Sequence, residues 1–441
     1  MKPFRPLLTT FLFAATAFAG CLDATTDDAT TPAGELSPLI DVSPAFLAVR
    51  EAMADVPCVK ESSKTASTKN LLELNLDPLD QLAGSHSHAE LDLHEDMLLD
   101  SIHNAKGFVL ADISDPLDIK ELGFLTDTRQ QVPVRGAETT LDAKFSTDGR
   151  NVYLAYSDAV AVADISDPTQ PTLVHTQMNP QGYTAQAHMI YAANIKDVEY
   201  LFVFPSISGV HAVVHKLTGS GPTAKLEFVT MYTYVTPMAP TAQPTAPHDG
   251  YVAWDPVVNH HLLYTANSFY GVQVINVDDP AKPQTIATIP ANADGSPTGA
   301  APTFYHTVQV GWIDGKRIIV TSAEVGYNTM KIFDATNFDD IQFLGQWAFN
   351  EMAPSDMQHN LQIVNGTLFE AHYGQGLFGF DLAAYVANPS DEIPIIFHYQ
   401  PQGSLWDVVL RKGVAYVSGP GVAAIGYGCF TPGDVTLSSD G

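Results

Sequence analysis

From residue 88 onward the chain is written in short apolar runs, some alternating with polar residues and some continuous, each closed by a turn signal. FVLADISDP (108–116), VAVADISDP (160–168) and VQVINVDDP (272–280) are near-copies of one another, and MKIFDATNF (330–338) and LFGFDLAAY (377–385) are weaker relatives. In the clear copies an apolar strand runs into an acidic or amide residue and a turn ending in Asp-Pro. There Pro stops the strand and Asp supports the turn through local hydrogen bonds. A second short strand follows each copy: LGFL (122–125), TLVHT (172–176), QTIATI (284–289), IQFLGQW (341–347) and IIFHY (395–399). An aromatic-rich strand precedes it, as in NVYLAY (151–156) and HLLYTAN (261–267), and before that lies a further strand that often begins at a His. The unit is therefore four consecutive antiparallel strands repeating about every 50 residues, the pattern of a propeller blade.

Counted by first strands, the blades start at His88, Asp142, His188, His248, His306, His359 and Trp406. This predicts an all-β chain: a seven-bladed β-propeller of four-stranded antiparallel blades over residues 88–441. Blade three fits least well, because VHAVVHKLT (210–218) lacks the Asp-Pro turn, and blade one carries extra residues around His94 to His103. Blade seven shows only three strands of its own, WDVVLRK (406–412), VAYVSG (414–419) and VAAIGYG (422–428). Its fourth strand must come from DVTLSS (434–439) or from KNLLELNL (69–76), and the second choice would tie the two ends of the chain together.

The strings ADISDP and VINVDDP resemble the LVIVD repeat of bacterial surface and exported proteins, and Gly271 to Pro280 follows that repeat except at Asn276. The resemblance covers most of residues 88–427. It implies the propeller architecture and a place at the cell surface, and it implies little about activity, since propellers host unrelated functions.

Composition then narrows the setting. Charged residues are 16 % of the chain, against 31 Gly and 30 Pro, as befits a turn-rich β protein. A net charge of −28 with no basic cluster argues against nucleic acid, whose phosphates demand Lys/Arg surfaces. Lys2 and Arg5 precede an apolar stretch, Leu7 to Ala19, too short to span a bilayer. It ends in Phe18-Ala19-Gly20-Cys21, which resembles a bacterial lipobox. Residues 1–20 are thus expected to be a lipoprotein signal peptide and Cys21 the lipidated residue, an ordinary signal cleaved near Ala19 being the alternative. Residues 21–44, rich in Thr, Asp, Ala and Pro, are expected to be a disordered tether. Residues 45–87 would hold a small helix over AFLAVREAM (45–53) and the possible ring-closing strand. The expected location is the cell envelope, with the outer membrane favoured because Leu22 rather than Asp follows Cys21. Membrane contact would be through the lipid alone. Cys58 and Cys429 bracket the seam of the ring and are expected to form a disulfide in an exported protein.

Histidine carries the candidate chemistry. There are 15, and His88, His188, His248, His306 and His359 fall at blade starts, with Asp142 in that place in blade two. First strands line a propeller's channel, so these side chains converge from neighbouring blades. His372, Glu324 and Asn267, at the ends of second strands, would surround them. Neutral imidazole with one or two carboxylates suits zinc, copper or iron. Carotenoid oxygenases and selenium-binding proteins are similar in placing metal-binding His on a propeller axis, a likeness of fold only. A repeated His can equally be a polar spacer bonded to backbone or water. The Asp-rich turns lack the spaced oxygens of a calcium cage. No nucleophile elbow, phosphate loop or zinc-protease motif occurs. The function expected first is a binding or interaction platform for an unknown protein or small molecule; the alternative is a metalloprotein, whether a metal-dependent oxidoreductase, a hydrolase or a metal carrier. Whether the protein is an enzyme stays open.

Overall fold

The computed structural model describes residues 71–427 except 83–86, 104–105, 127–139, 157–158, 179–186, 206–209, 234–246, 291–292, 294–303, 325–328, 349–356, 391 and 402. The expected signal peptide, tether, N-terminal helix and all three cysteines, Cys21, Cys58 and Cys429, lie outside the described residues.

Seven four-stranded antiparallel sheets follow one another along the chain. Their first strands are His88–His94, Thr140–Phe145, Ala187–Ile195, Asp249–Asp255, Tyr305–Ile313, Gln358–Val364 and Val408–Arg411. First strands of neighbouring blades lie against one another all the way round, blade seven against blade one included. The molecule is a seven-bladed β-propeller.

The core is divided among the blade interfaces. Each of seven apolar clusters is shared by two adjacent blades. Leu99, Phe108 and Leu110 of blade one, for example, meet Phe145, Leu154 and Tyr156 of blade two. The strands read as nearly continuous apolar runs because both faces of every sheet are covered. The third and fourth strands pair with a bulge at a corresponding point in six blades, as between Leu110 and Ala111 or Val162 and Ala163. Such bulges raise the local twist that packed blades need.

The Asp-x-Ser-Asp-Pro string has a mechanical explanation. Asp112 accepts from Ser114 N (2.8 Å) and Asp115 from Leu117 N (3.0 Å). Asp164 and Asp167 do the same for Ser166 N and Thr169 N. Two successive side-chain turns thus carry the chain from third to fourth strand. Blade five keeps the device without Pro, through Asp334 and Asn337. In blade six the equivalent Asp381 caps a short helix, Leu382–Ala387, by accepting from Ala384 N. Blade three, the poor match in sequence, runs on to Thr218 and turns through Gly219, Gly221 and a 3-10 turn at Gly221–Thr223. Gly219 and Gly221 have φ of +74° and +54°, a region that favours glycine.

The missing strand of blade seven is Leu71–Asp77, antiparallel to Val422–Tyr427, so the pre-blade segment closes the ring. Arg411 of blade seven also binds Asp96 of blade one through Nε (2.9 Å) and Nη2 (2.6 Å). The expected extra residues of blade one are absent: His94 ends its first strand and Met97 begins its second.

Candidate metal centre

Strand pairing fixes which residues share a level around the channel. Leu91 lies opposite Asp100, Ala143 opposite Leu154, Ile190 opposite Val203, Val308 opposite Thr321, Leu361 opposite Glu370 and Val408 opposite Val417. Two residues before each of these, with His248 in blade four, stand Ala89, Leu141, His188, His248, His306, His359 and Trp406. The four His therefore occupy one level in four consecutive blades. His88 and Asp142 do not belong to it. The one-residue bulge in the first strand is common to blades one, two, three, five and six, so it does not displace them. Strand pairing puts His88 level with Thr140, Ala187, Tyr305 and Gln358, one residue ahead, and Asp142 level with Met189, Thr307 and Asn360, one residue behind. His88 instead meets Asp100 of its own blade at 2.6 Å.

The four imidazoles form a continuous arc. Ring centroids are 4.2 Å apart for His188 and His248, 4.1 Å for His248 and His306, and 4.2 Å for His306 and His359. His188 Nε2 lies 2.8 Å from His248 Nε2. Glu324, just past the second strand of blade five, brings Oε2 to 3.6 Å from His248 Nε2 and 3.7 Å from His306 Nε2. Two ligands about 2.1 Å from one tetrahedral ion lie about 3.4 Å apart, so these atoms need little movement to share one. Among the described residues, His248, His306 and Glu324 form the group whose donor atoms all fall within 4.8 Å of one another.

Surrounding contacts orient the donors. His359 Nδ1 lies 2.5 Å from the Trp406 carbonyl, which assigns the proton to Nδ1 and leaves Nε2 as donor atom, the arrangement typical of metal-bound His. Nδ1 of His248 and of His306 is buried without a hydrogen-bond partner. Tyr373 donates to Glu324 Oε1 (3.0 Å), holding the carboxylate with Oε2 toward the imidazoles. Burial sets the charge state. It holds His188 down to about 4, with His103 adding to the effect, and His359 down to about 3. It holds His248 and His306 well below the ordinary imidazole value, and raises Glu324 despite the Tyr373 bond. All four rings are neutral donors at neutral pH.

The next level of the channel is acidic and cross-braced. It carries Glu90, Asp142, Met189, Asp249, Thr307, Asn360 and Asp407. Asp142 accepts from Ile190 N of blade three (2.8 Å) and Asp407 from Leu91 N of blade one (2.8 Å). Thr307 donates to Asp249, and Asn360 donates to Glu90 and to Asp407. Lys144 Nζ lies 2.7 Å from Asp142 Oδ1. Burial nevertheless raises Asp142 from its ordinary value, and lifts Glu90 well above its own with help from Asp407 and Asp142.

The remaining expected site residues are elsewhere. Asn267 is buried and donates to Thr265, whose hydroxyl meets His211 Nε2 at 2.6 Å. His372 is buried in blade six beside Phe378. His260 and His261 both place Nδ1 on Asp278, at 2.7 and 3.1 Å, a structural role. One neighbour of the site was missed. His103, which the sequence marks only as the end of the extra residues expected in blade one, packs on Trp406 (4.9 Å between rings). It holds the same place in its blade as Glu324 and Tyr373, one residue past the second strand; aligning second strands rather than first ones would have found it.

The fold and this arc of donors define a β-propeller with a candidate metal centre at one end of its channel. No family model and no curated protein matches the chain. Among solved structures it is similar to the C-terminal WD40 domain of Sif2, at TM-score 0.50 and 11 % identity over 82 % of this chain and 99 % of that one. It is also similar to Saccharomyces cerevisiae Sqt1, at TM-score 0.48 and 12 % identity over 84 % and 99 % of the two chains. At such identity the likeness concerns the propeller fold alone.

Proposed function

We propose that this protein is a metalloprotein whose channel holds one first-row transition ion on His248, His306 and Glu324, with His188 and His359 at the two ends of the arc as further candidate donors. The observation that carries this reading is Nε2 of His306, buried, without a hydrogen-bond partner, and 3.7 Å from Glu324 Oε2. Leaving such an atom unsatisfied costs about 1–3 kcal/mol, and a cation gives it and its neighbours a common partner. Nitrogen donors with one carboxylate suit zinc, copper or iron, and rings kept neutral by burial bind without competing protons. Bound there, the ion would supply Lewis acidity or, for copper or iron, electron transfer. The chain's own part is to fix His359 by its Nδ1 bond to the Trp406 carbonyl and to orient Glu324 through Tyr373. Elemental analysis after purification without chelator should give about one ion per chain, and stripped protein should take up Co(II) with visible bands. Metal content far below this together with no uptake by stripped protein would overturn the reading.

The propeller as a rigid binding platform is the second reading. It is supported by the fold itself and by the exposed apolar side chains Phe228 and Ile286 on outer strands of blades three and four. Binding screens with the soluble domain test it, and a turnover abolished by chelator would count against a purely passive platform. For location, the Leu7 to Cys21 segment and the LVIVD-like repeats support an exported, lipid-anchored envelope protein. Changing Cys21→Ser should release it from the membrane fraction, and unchanged fractionation would sink the anchor.

A further inference from the structure

We propose that the site takes a small aromatic molecule carrying one oxygen donor, such as a phenolate, with its oxygen at the ion and its ring between two aromatic walls. The proposal rests on the metal-centre reading above. One wall stands at the His248 side of the arc: Phe304 meets His248 edge-on at 5.4 Å and Phe269 meets Phe304 edge-on at 5.2 Å. The other stands at the His359 side: Tyr373 lies 4.7 Å and Trp406 5.2 Å from His359, and the two meet edge-on at 5.3 Å.

None of these four aromatics is fully buried, whereas His306 between them is 1 % exposed. Large apolar rings left partly open beside an enclosed donor set are the composition of a ligand site, mostly apolar with a few convergent polar groups. Edge-to-face geometry is how aromatic rings prefer to meet a further ring. The polar groups between the walls are Glu324 and the Tyr373 hydroxyl bonded to it. Imidazole ligands bring no charge, so one carboxylate beside them leaves a divalent ion with net positive charge. An anionic oxygen complements that charge better than a neutral nitrogen does.

The test uses full-length protein loaded with Co(II), its metal content measured first, then titrated separately with 4-nitrophenol and with azide while the cobalt bands are followed. Phe269→Ala and Trp406→Leu remove one ring from each wall; Phe269 touches no candidate ligand, and the Trp406 carbonyl that holds His359 survives in the second variant. The expected result is phenol binding about tenfold weaker in each variant, with azide binding and cobalt content unchanged in Phe269→Ala. Azide binding without phenol binding, phenol binding indifferent to both substitutions, or equal phenol binding by metal-free protein would overturn the aromatic subsite while leaving the metal centre standing. Failure to take up cobalt, seen before any phenol is added, would sink both.

Discussion

Two adjacent levels of the same channel, one residue apart on each first strand, are built on opposite terms. At the acidic level, Asp142, Asp249, Asn360 and Asp407 each reach a neighbouring blade, and Lys144 is paired with Asp142. At the histidine level the rings face one another, and His306 Nε2 has no hydrogen-bond partner. Buried polar groups that hold a structure together have partners. Where one lacks a partner, strain, an ordered water or a bound ion is the usual explanation, and the donors gathered around His306 Nε2 favour the ion. The contrast separates scaffold from site more sharply than residue type does, because both levels are equally rich in metal-ligating chemistry.

The largest effect should come from removing the unpartnered donor. His306→Ala should weaken metal binding at least about a hundredfold, as loss of a first ligand does at or beyond the usual cost of a supporting contact, with the far-ultraviolet circular dichroism unchanged. Metal retained at wild-type affinity would dissolve the distinction between the levels. Asp142→Ala is the converse test. It strands Lys144 inside the channel and should cost about 3–5 kcal/mol in denaturant unfolding while leaving metal content intact. Loss of metal with little loss of stability would show that the acidic level belongs to the site.

The seam of the ring provides the next comparison, since blades seven, one and two carry none of the four His. Cys58 precedes the closing strand Leu71–Asp77 and Cys429 follows its partner. We expect a bridge between them, and Cys58→Ser should cost about 2–4 kcal/mol of thermal stability with no change in metal binding. Two free thiols in the unfolded, unreduced protein would remove the bridge from the account.

The smallest effect is a pH dependence in which the two arms of the channel pull in opposite directions. His359 is held to about 3 by burial, against about 6.5 in an unfolded chain. The unfolded state therefore takes up the proton first, and metal-free protein loses stability as pH falls from about 6.5 toward 4. Asp92 is raised by burial to about 6, against about 3.9 unfolded. The stability it contributes is present below about pH 4 and lost as pH rises through 6. Urea midpoints between these limits should fall more steeply with acid in Asp92→Asn and less steeply in His359→Gln. Parallel slopes in wild type and both variants would refute the assignment.

The blades were legible in the sequence because their signals are local. Asp-Pro turns, apolar runs and the strand at 69–76 depend on neighbours in the chain, and all are found where those signals fall, Leu71–Asp77 included. Even blade three kept its four strands, with Gly219 and Gly221 in place of the missing turn. Glu324 was legible as a channel-end residue. The register was not: His88 and Asp142 were placed beside His188 by counting blade starts, whereas the pairing of first with second strands, a tertiary fact, sets each of them one residue away from that level.

By itself, then, the sequence determined the number and order of the strands and the turns between them, since each follows from period, turn chemistry and apolar content within a few residues; it offered two segments to close the ring, and the structure chose Leu71–Asp77. Only the tertiary structure decided which side chains share a level of the channel, that His103 joins Trp406 beside the site while His372 turns away into blade six, and that His306 is left without a partner. Those facts arise from bulges and from contacts between blades some 50 residues apart. A side chain's partners there are set by how neighbouring sheets pack, which no local pattern encodes.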